Sequence, residues 1–176
     1  MIASLRLLAP RYAVRRVTDL SPALLRAWRI DALMLDLDNT LVAWAEAAAP
    51  AVVCAWVAEL RQAGIRACIV SNNLSGRVRT VAAQLQLPAA EGRFKPSADK
   101  LRRALRILGS APERTAMVGD QIFTDVLAGN RLGVPTILTE PLGPQEPMRI
   151  RMLRRIEHVL MALMARRGLV PRGLDV

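Results

Sequence analysis

The stretch Ala32-Leu33-Met34-Leu35-Asp36-Leu37-Asp38-Asn39-Thr40 changes character in its middle: an uncharged apolar run gives way to a segment with two carboxylates. The run has the composition and length of a buried β-strand. Side chains alternate faces along a strand, so Asp36 and Asp38 leave its carboxyl end on the same side. Two carboxylates that close repel each other unless a cation or a cluster of donors lies between them. This strand end is therefore the first place to look for bound charge.

Before it, residues 1–20 read as irregular and basic, and Ser21-Pro22 supplies an N-cap and a first-turn proline for a short helix to Trp28. After it comes a connection, Leu41–Ala49, that contains Trp44. A helix is expected from Pro50 to Ala63, with Val53, Val57 and Leu60 on one face and Gly64 as its stop. Ala67-Cys68-Ile69-Val70 is a second buried strand ending in Ser71-Asn72-Asn73. A helix capped by Ser75 or a neighbour runs to Leu85, and Pro88–Ala90 is a candidate third strand. Phe94-Lys95-Pro96-Ser97 turns into a helix that ends at Leu108. Strand Thr115–Val118 leads into Gly119-Asp120-Gln121, then a helix from Thr124 to Leu132 and a last strand, Val134–Leu138.

Apolar strands alternating with helices predict an α/β fold, a Rossmann-like three-layer sandwich with a central parallel sheet and helices on both faces. In such sheets ligands bind beyond the carboxyl ends of the strands. Asp36 and Asp38, Ser71 and Asn72, and Asp120 all fall at those ends. A chain of 176 residues without internal repeats or low-complexity linkers is expected to form a single domain, 1–176.

Composition narrows the function classes. Hydrophobic content is 52% with only 3% aromatics, and no apolar run approaches the ~18 residues of a membrane-spanning helix. Arg6, Arg11, Arg15 and Arg16 interrupt any signal-peptide core, so a cytoplasmic protein is expected. Cys54 and Cys68 lie in apolar settings without a CxxC or Cys/His pattern and read as core residues. The net charge of +10 sits entirely in the ends: residues 1–30 and 148–176 each carry +5, and the middle is neutral. Of 25 basic residues only Lys95 and Lys100 are lysines, so a retained ammonium invites a functional reason.

Each polar piece has a plain structural alternative. Asp36–Thr40 could be a capped turn, although an EF-hand calcium loop is excluded because Leu41 stands where the glycine belongs. Ser71 could be an ordinary helix cap, Lys95 a solvated charge, and Asp120 with Asp125 a cap and a surface acid. Their shared position at strand ends favours a phosphoryl-transfer site.

Together, Asp36-Leu37-Asp38-Asn39-Thr40, Ser71, Lys95-Pro96 and Gly119–Asp125 resemble the haloacid-dehalogenase superfamily, in this order and on these strand ends. The longer stretches DLDNTLVAW, IVSNN, FKP and GDQIFTDVLAGNRLG are similar to its YqeG family, capless subclass III phosphatases allied to the mitochondrial phosphatidylglycerophosphate phosphatase. The resemblance implies that Asp36 is the nucleophile and Asp38 the general acid/base. It implies Mg²⁺ held by Asp36, the backbone carbonyl of Asp38, and Asp120, with Thr40 and Asp125 supporting from behind. Ser71, Asn72 and Lys95 are implied as phosphate-binding residues.

Only 34 residues separate Asp36 from Ser71, and 23 separate Ser71 from Lys95, which leaves no room for an inserted cap domain. An uncapped site is expected to take large or surface-held substrates. The ends, a basic extension over 1–30 and a basic amphipathic helix over 145–167, bear on which. From Met148 to Arg167, Met152, Leu153, Ile156, Val159, Leu160, Leu163 and Met164 fall on one side of a helical wheel; Arg151, Arg154, Arg155 and His158 fall opposite. That apolar side would either dock on the core or meet an anionic membrane surface, and both remain open here. The favoured substrate is a phosphorylated lipid head group, phosphatidylglycerophosphate, met peripherally on the inner face of the membrane. The alternatives are a soluble phosphatase for a metabolite, protein or nucleic-acid phosphate, and a non-catalytic RNA or protein interaction module. No nucleic-acid partner is expected, since no aromatic platform is visible.

Overall fold

Ala32–Leu35 forms strand β2 with every residue buried. In the computed structural model, which describes residues 5–72, 76–143 and 145–170, β2 lies inside a sheet with β1 (Tyr12–Val14), β3 (Arg66–Ile69), β4 (Thr115–Gly119) and β5 (Thr136–Thr139). The order is β1-β5-β4-β2-β3 and every pair is parallel. Leu35 is level with Ile69 of β3 and Val118 of β4. Asp36, Ser71 and Asp120 therefore emerge along one edge of the sheet, where the two central strands and their neighbour end.

The helices are α1 (Pro22–Ala27), α2 (Ala51–Gln62), α3 (Gly76–Leu85), α4 (Asp99–Leu108), α5 (Leu127–Leu132) and α6 (Met148–Arg166). Period-two alternation sorts the strands into two cores. Leu33, Leu35, Ile69 and Val118 pack with Val53, Trp56, Val57 and Leu60 of α2 on one face. Met34, Cys68 and Met117 pack with Leu101, Ala104 and Leu108 of α4 on the other. The outcome is the expected three-layer α/β sandwich, and no cap is inserted among the described residues. A third cluster joins Met161 and Met164 of α6 to Ile122 and Val126, with Leu5, Leu8 and Ala9 against it. The two basic ends of the chain thus meet on one side of the molecule.

Several local expectations needed correction. Residues 12–14, read as irregular, form edge strand β1, and Tyr12 stacks on Trp28 with ring centroids 3.8 Å apart. Three residues between arginines carry too little alternation to signal a strand. Pro88–Ala90 makes only an isolated bridge, Ile69 to Ala89. The helix after Asp120 begins as a π-helical turn, Ile122–Val126, before α5. Both cysteines are free; Cys68 is buried, with its thiol pushed up to about 12 by desolvation, while Cys54 is half-buried. Asn73 and the cap Ser75 lie outside the described residues. No described helix is long and apolar enough to cross a membrane.

The largest correction concerns α6. Met148, Met152, Ile156, Val159 and Leu163 are 42–70% exposed, while Glu157, Met161 and Met164 are buried. The apolar side of the wheel is split, and Arg154, assigned to the solvent side, points inward with its side chain only 14% exposed.

Candidate active site

Asp36, Asp38, Asn39, Thr40, Ser71, Lys95, Asp120 and Asp125 are all buried polar residues within a few per cent of full burial. Burial of so many charges is tolerated only where they pair. Lys95 Nζ donates to Asp36 Oδ1 and to Asp125 Oδ1, each at 2.5 Å. Asp38 accepts instead from Arg77 of α3, whose second Nη donates to the Ala43 carbonyl at 2.5 Å. Asp120 accepts from Thr40 Oγ1 at 3.5 Å and from Arg154 at 2.6 Å.

The neighbouring predicted residues support this arrangement through the backbone. Asn72 Oδ1 accepts from the Lys95 N–H at 2.7 Å, and its Nδ2 donates to the Lys95 carbonyl at 3.1 Å. Asn72 therefore holds the turn that aims Lys95. The Ser71 carbonyl accepts from Lys100 Nζ. Gly119 is required by crowding: a Cβ there would lie 2.3 Å from Asp125 Cγ. The Asp125 carboxylate also accepts from the Gln121 N–H at 3.2 Å, which closes the loop on itself.

Asp36, Asp120 and Asp125 each offer a carboxylate oxygen, and these atoms lie within 4.8 Å of one another. Burial raises Asp36 well above the usual carboxylate range; Lys95 opposes this, while Asp125 and Asp120 add to it. Asp120 rises to about 7 through burial and Asp125, against the pull of Arg154. Lys95 is desolvated too, yet Asp125 and Asp36 outweigh that and raise it above its ordinary value. Three carboxylates confront one ammonium, because Arg154 is shared with Glu146. A surplus of hard oxygen donors and negative charge fits a divalent cation. Asp125 stands in this cluster on the same footing as Asp36 and Asp120.

Asp36 and Asp38 open into a cleft of about 690 Å³, lined also by Lys95 and Gln121, with Trp44, Phe94, Ile150 and Leu153 as its apolar walls. Sequence reasoning missed Arg77, Glu146, Arg154 and Lys100. Lys100 carried a usable signal as the only other lysine, and the structure buries it to 3% exposure. Glu146 and Arg154 carried none. Glu146 accepts from Asn39 Nδ2 at 2.6 Å and from Arg154 Nε at 3.0 Å, closing a clasp over the Asp36–Thr40 loop.

The haloacid dehalogenase-like hydrolase profile matches residues 48–133. The chain is 33% identical over 159 residues to a probable phosphatase, YqeG, of Bacillus subtilis, covering 90% of this chain and 92% of that one. The chain belongs to the haloacid dehalogenase-like hydrolase family. It is an enzyme of phosphatase type. It is also 34% identical over 96 residues to phosphatidylglycerophosphate phosphatase 1 of Arabidopsis thaliana, a match that spans 54% of this chain and 28% of that protein. Among solved structures, the cobalt-bound deoxy-D-mannose-octulosonate 8-phosphate phosphatase of Haemophilus influenzae superposes with a TM-score of 0.52 at 15% identity, covering 78% of this chain and 90% of its own. A Vibrio cholerae protein of the same putative activity gives 0.51 at 18% identity, covering 88% and 93%. At such identities the likeness extends to the fold, which in this hydrolase carries its acids on the carboxyl edge of the sheet.

Proposed function

We propose that this hydrolase removes the terminal phosphate from a phosphatidylglycerophosphate-type lipid, with Mg²⁺ as cofactor. The observation that carries the reaction is the placement of Asp36 and Asp38 at the end of β2, facing an open cleft, with Lys95 against Asp36. Asp36 attacks phosphorus in line, the P–O ester bond breaks, and Asp38 gives its proton to the departing alkoxide. Water then attacks the aspartyl-phosphate, and Asp38 takes the proton back as inorganic phosphate leaves. Ser71, Asn72 and Lys95 lie where the phosphoryl group is received; Lys95 supplies positive charge and Asn72 orients it. Asp36, Asp120 and the Asp38 carbonyl would hold the cation, with Asp125 and Thr40 alongside, and its charge would offset the repulsion between carboxylates and phosphate. Arg77 fixes the Asp38 carboxylate.

The lipid reading is supported by the lack of a cap among the described residues, the apolar cleft walls and the named activity of the plant relative. It implies a single hydrolase domain over 1–176 in the cytoplasm, working at the inner face of an anionic membrane through its ends, 1–30 and 145–167. The test is Mg²⁺-dependent phosphate release from phosphatidylglycerophosphate in vesicles beside soluble sugar, protein and nucleic-acid phosphates, with Asp36→Asn as control. Turnover of the lipid, lost in that variant, supports the reading; activity confined to soluble esters overturns the lipid assignment.

A further inference from the structure

Helix α6 has two working faces. Its inward face contributes Arg149, Ile150 and Leu153 to the cleft wall and Arg154 to Asp120. Its outward face carries Met148, Met152, Ile156, Val159 and Leu163, exposed by 70, 63, 57, 64 and 42%. At 3.6 residues per turn these five fall within about 80° of arc, an unbroken stripe along the whole helix. Soluble surfaces scatter single apolar residues but rarely line up five.

Charge decides what covers the stripe. Arg149 borders one edge, Arg151 and Arg155 border the other, and Arg166 and Arg167 stand at the carboxyl end, all exposed. The one acid of the helix, Glu157, is buried on the inward side. A second copy docking stripe to stripe would bring these arginines against their own kind. An anionic bilayer satisfies both parts at once: the stripe enters the interface and the arginines reach the head-group phosphates. The N-terminal segment packs through Leu5, Leu8 and Ala9 on the inward side of the same helix and leaves the stripe uncovered.

We infer that the outward face of α6 is the membrane-contact surface, lying flat in an anionic interface with the cleft wall at its amino end. The contact stands on the exposed stripe and its arginines; only its use for presenting a lipid substrate rests on the function proposed above.

Cosedimentation of the full chain with vesicles of phosphatidylcholine, alone or mixed with phosphatidylglycerol, tests it. Binding is expected to need the anionic lipid and to weaken as salt shortens the Debye length. Ile156→Asp or Val159→Asp should weaken it about tenfold or more, with the melting temperature and hydrolysis of a soluble phosphomonoester unchanged. No binding by the wild type at low salt would overturn the inference, as would Asp variants that bind undiminished, or a dimer that Ile156→Asp dissolves. If vesicle binding holds while the lipid phosphate is not released, the surface stands and the lipid-substrate proposal fails by itself.

Discussion

Arg154 donates to Asp120 twice, from Nη2 to Oδ2 at 2.6 Å and from Nη1 to the backbone carbonyl at 3.1 Å. The two residues are 34 positions apart, and the contact ties the C-terminal helix to a candidate metal ligand. One Asp120 oxygen is thereby committed to the guanidinium, while Oδ1 lies beside Thr40.

Replacement of Arg154 by alanine should free the Asp120 carboxylate to rotate and leave Glu146 without its cation. Loss of such an outer partner typically weakens metal affinity about 10–100-fold. Half-saturation by Mg²⁺, measured by activity and by thermal shift, should rise accordingly. Lysine at 154 should rescue little, because it cannot contact Asp120 and Glu146 with a planar fork. An unchanged metal requirement would refute the role.

Gly119→Ala tests how tightly the loop is built. The new Cβ would lie 2.3 Å from Asp125 Cγ, so Asp125 must leave its 2.5 Å contact with Lys95. Turnover should fall by about 100-fold, the loss expected when a catalytic group is misplaced by about 1 Å. A melting temperature that drops by several degrees should accompany it. Wild-type activity in this variant would mean that Asp125 has slack the packing does not show.

Lys95 separates Asp36 from Asp125 with its side chain 2% exposed. In Lys95→Met the two acids face each other without a cation, which costs about 3–5 kcal/mol for a broken buried pair. The loss should shrink on acidification, as one carboxylate takes up a proton. Denaturant titration across pH reads this out. In Lys95→Arg the charge survives but the bulkier guanidinium cannot occupy a space shaped for an ammonium, so activity should still be lost.

The metal-free protein should be less stable at neutral than at acid pH. Asp120 stands at about 7 against an ordinary 3.8, and Asp36 is raised as well, both through burial first. Burial raises Glu157 in the same direction. Between those values the folded protein keeps protons that the unfolded chain has released, so stability falls as pH rises through the window. In chelator, the melting temperature should decline from about pH 5 to about pH 8, and added Mg²⁺ should flatten the curve. A flat profile in chelator would contradict the crowding of the three acids.

Much of this site is local in origin. A four-residue apolar run followed by acids two apart sets both a buried strand and a paired charge at its end, whatever surrounds it. The repeat of that pattern at Ser71 and at Asp120 makes the parallel sheet and its ligand-bearing edge legible. The departures occur where local signal is weak or divided. Strand β1 has three residues and takes its stability from the edge of β5 and from Trp28. Lys100 was visible as a rarity, but not as a donor to Ser71.

Sequence alone determined the strand–helix alternation, the acids at 36, 38, 120 and 125, and the amphipathic character of the last helix. Tertiary structure decided which arc of that helix faces in. A helical wheel gives relative angles and no absolute direction, and only part of the apolar side turns inward here, Met161 and Met164 included. The buried Asp120 needs a cation, and Arg154 lies on the arc that can reach it, paired with Glu146 from the segment before the helix. Five apolar side chains lie on the opposite, exposed arc. That outcome depends on residues far apart in the chain, Asn39 with Glu146 and Asp38 with Arg77 among them, and no spacing within a single segment encodes it.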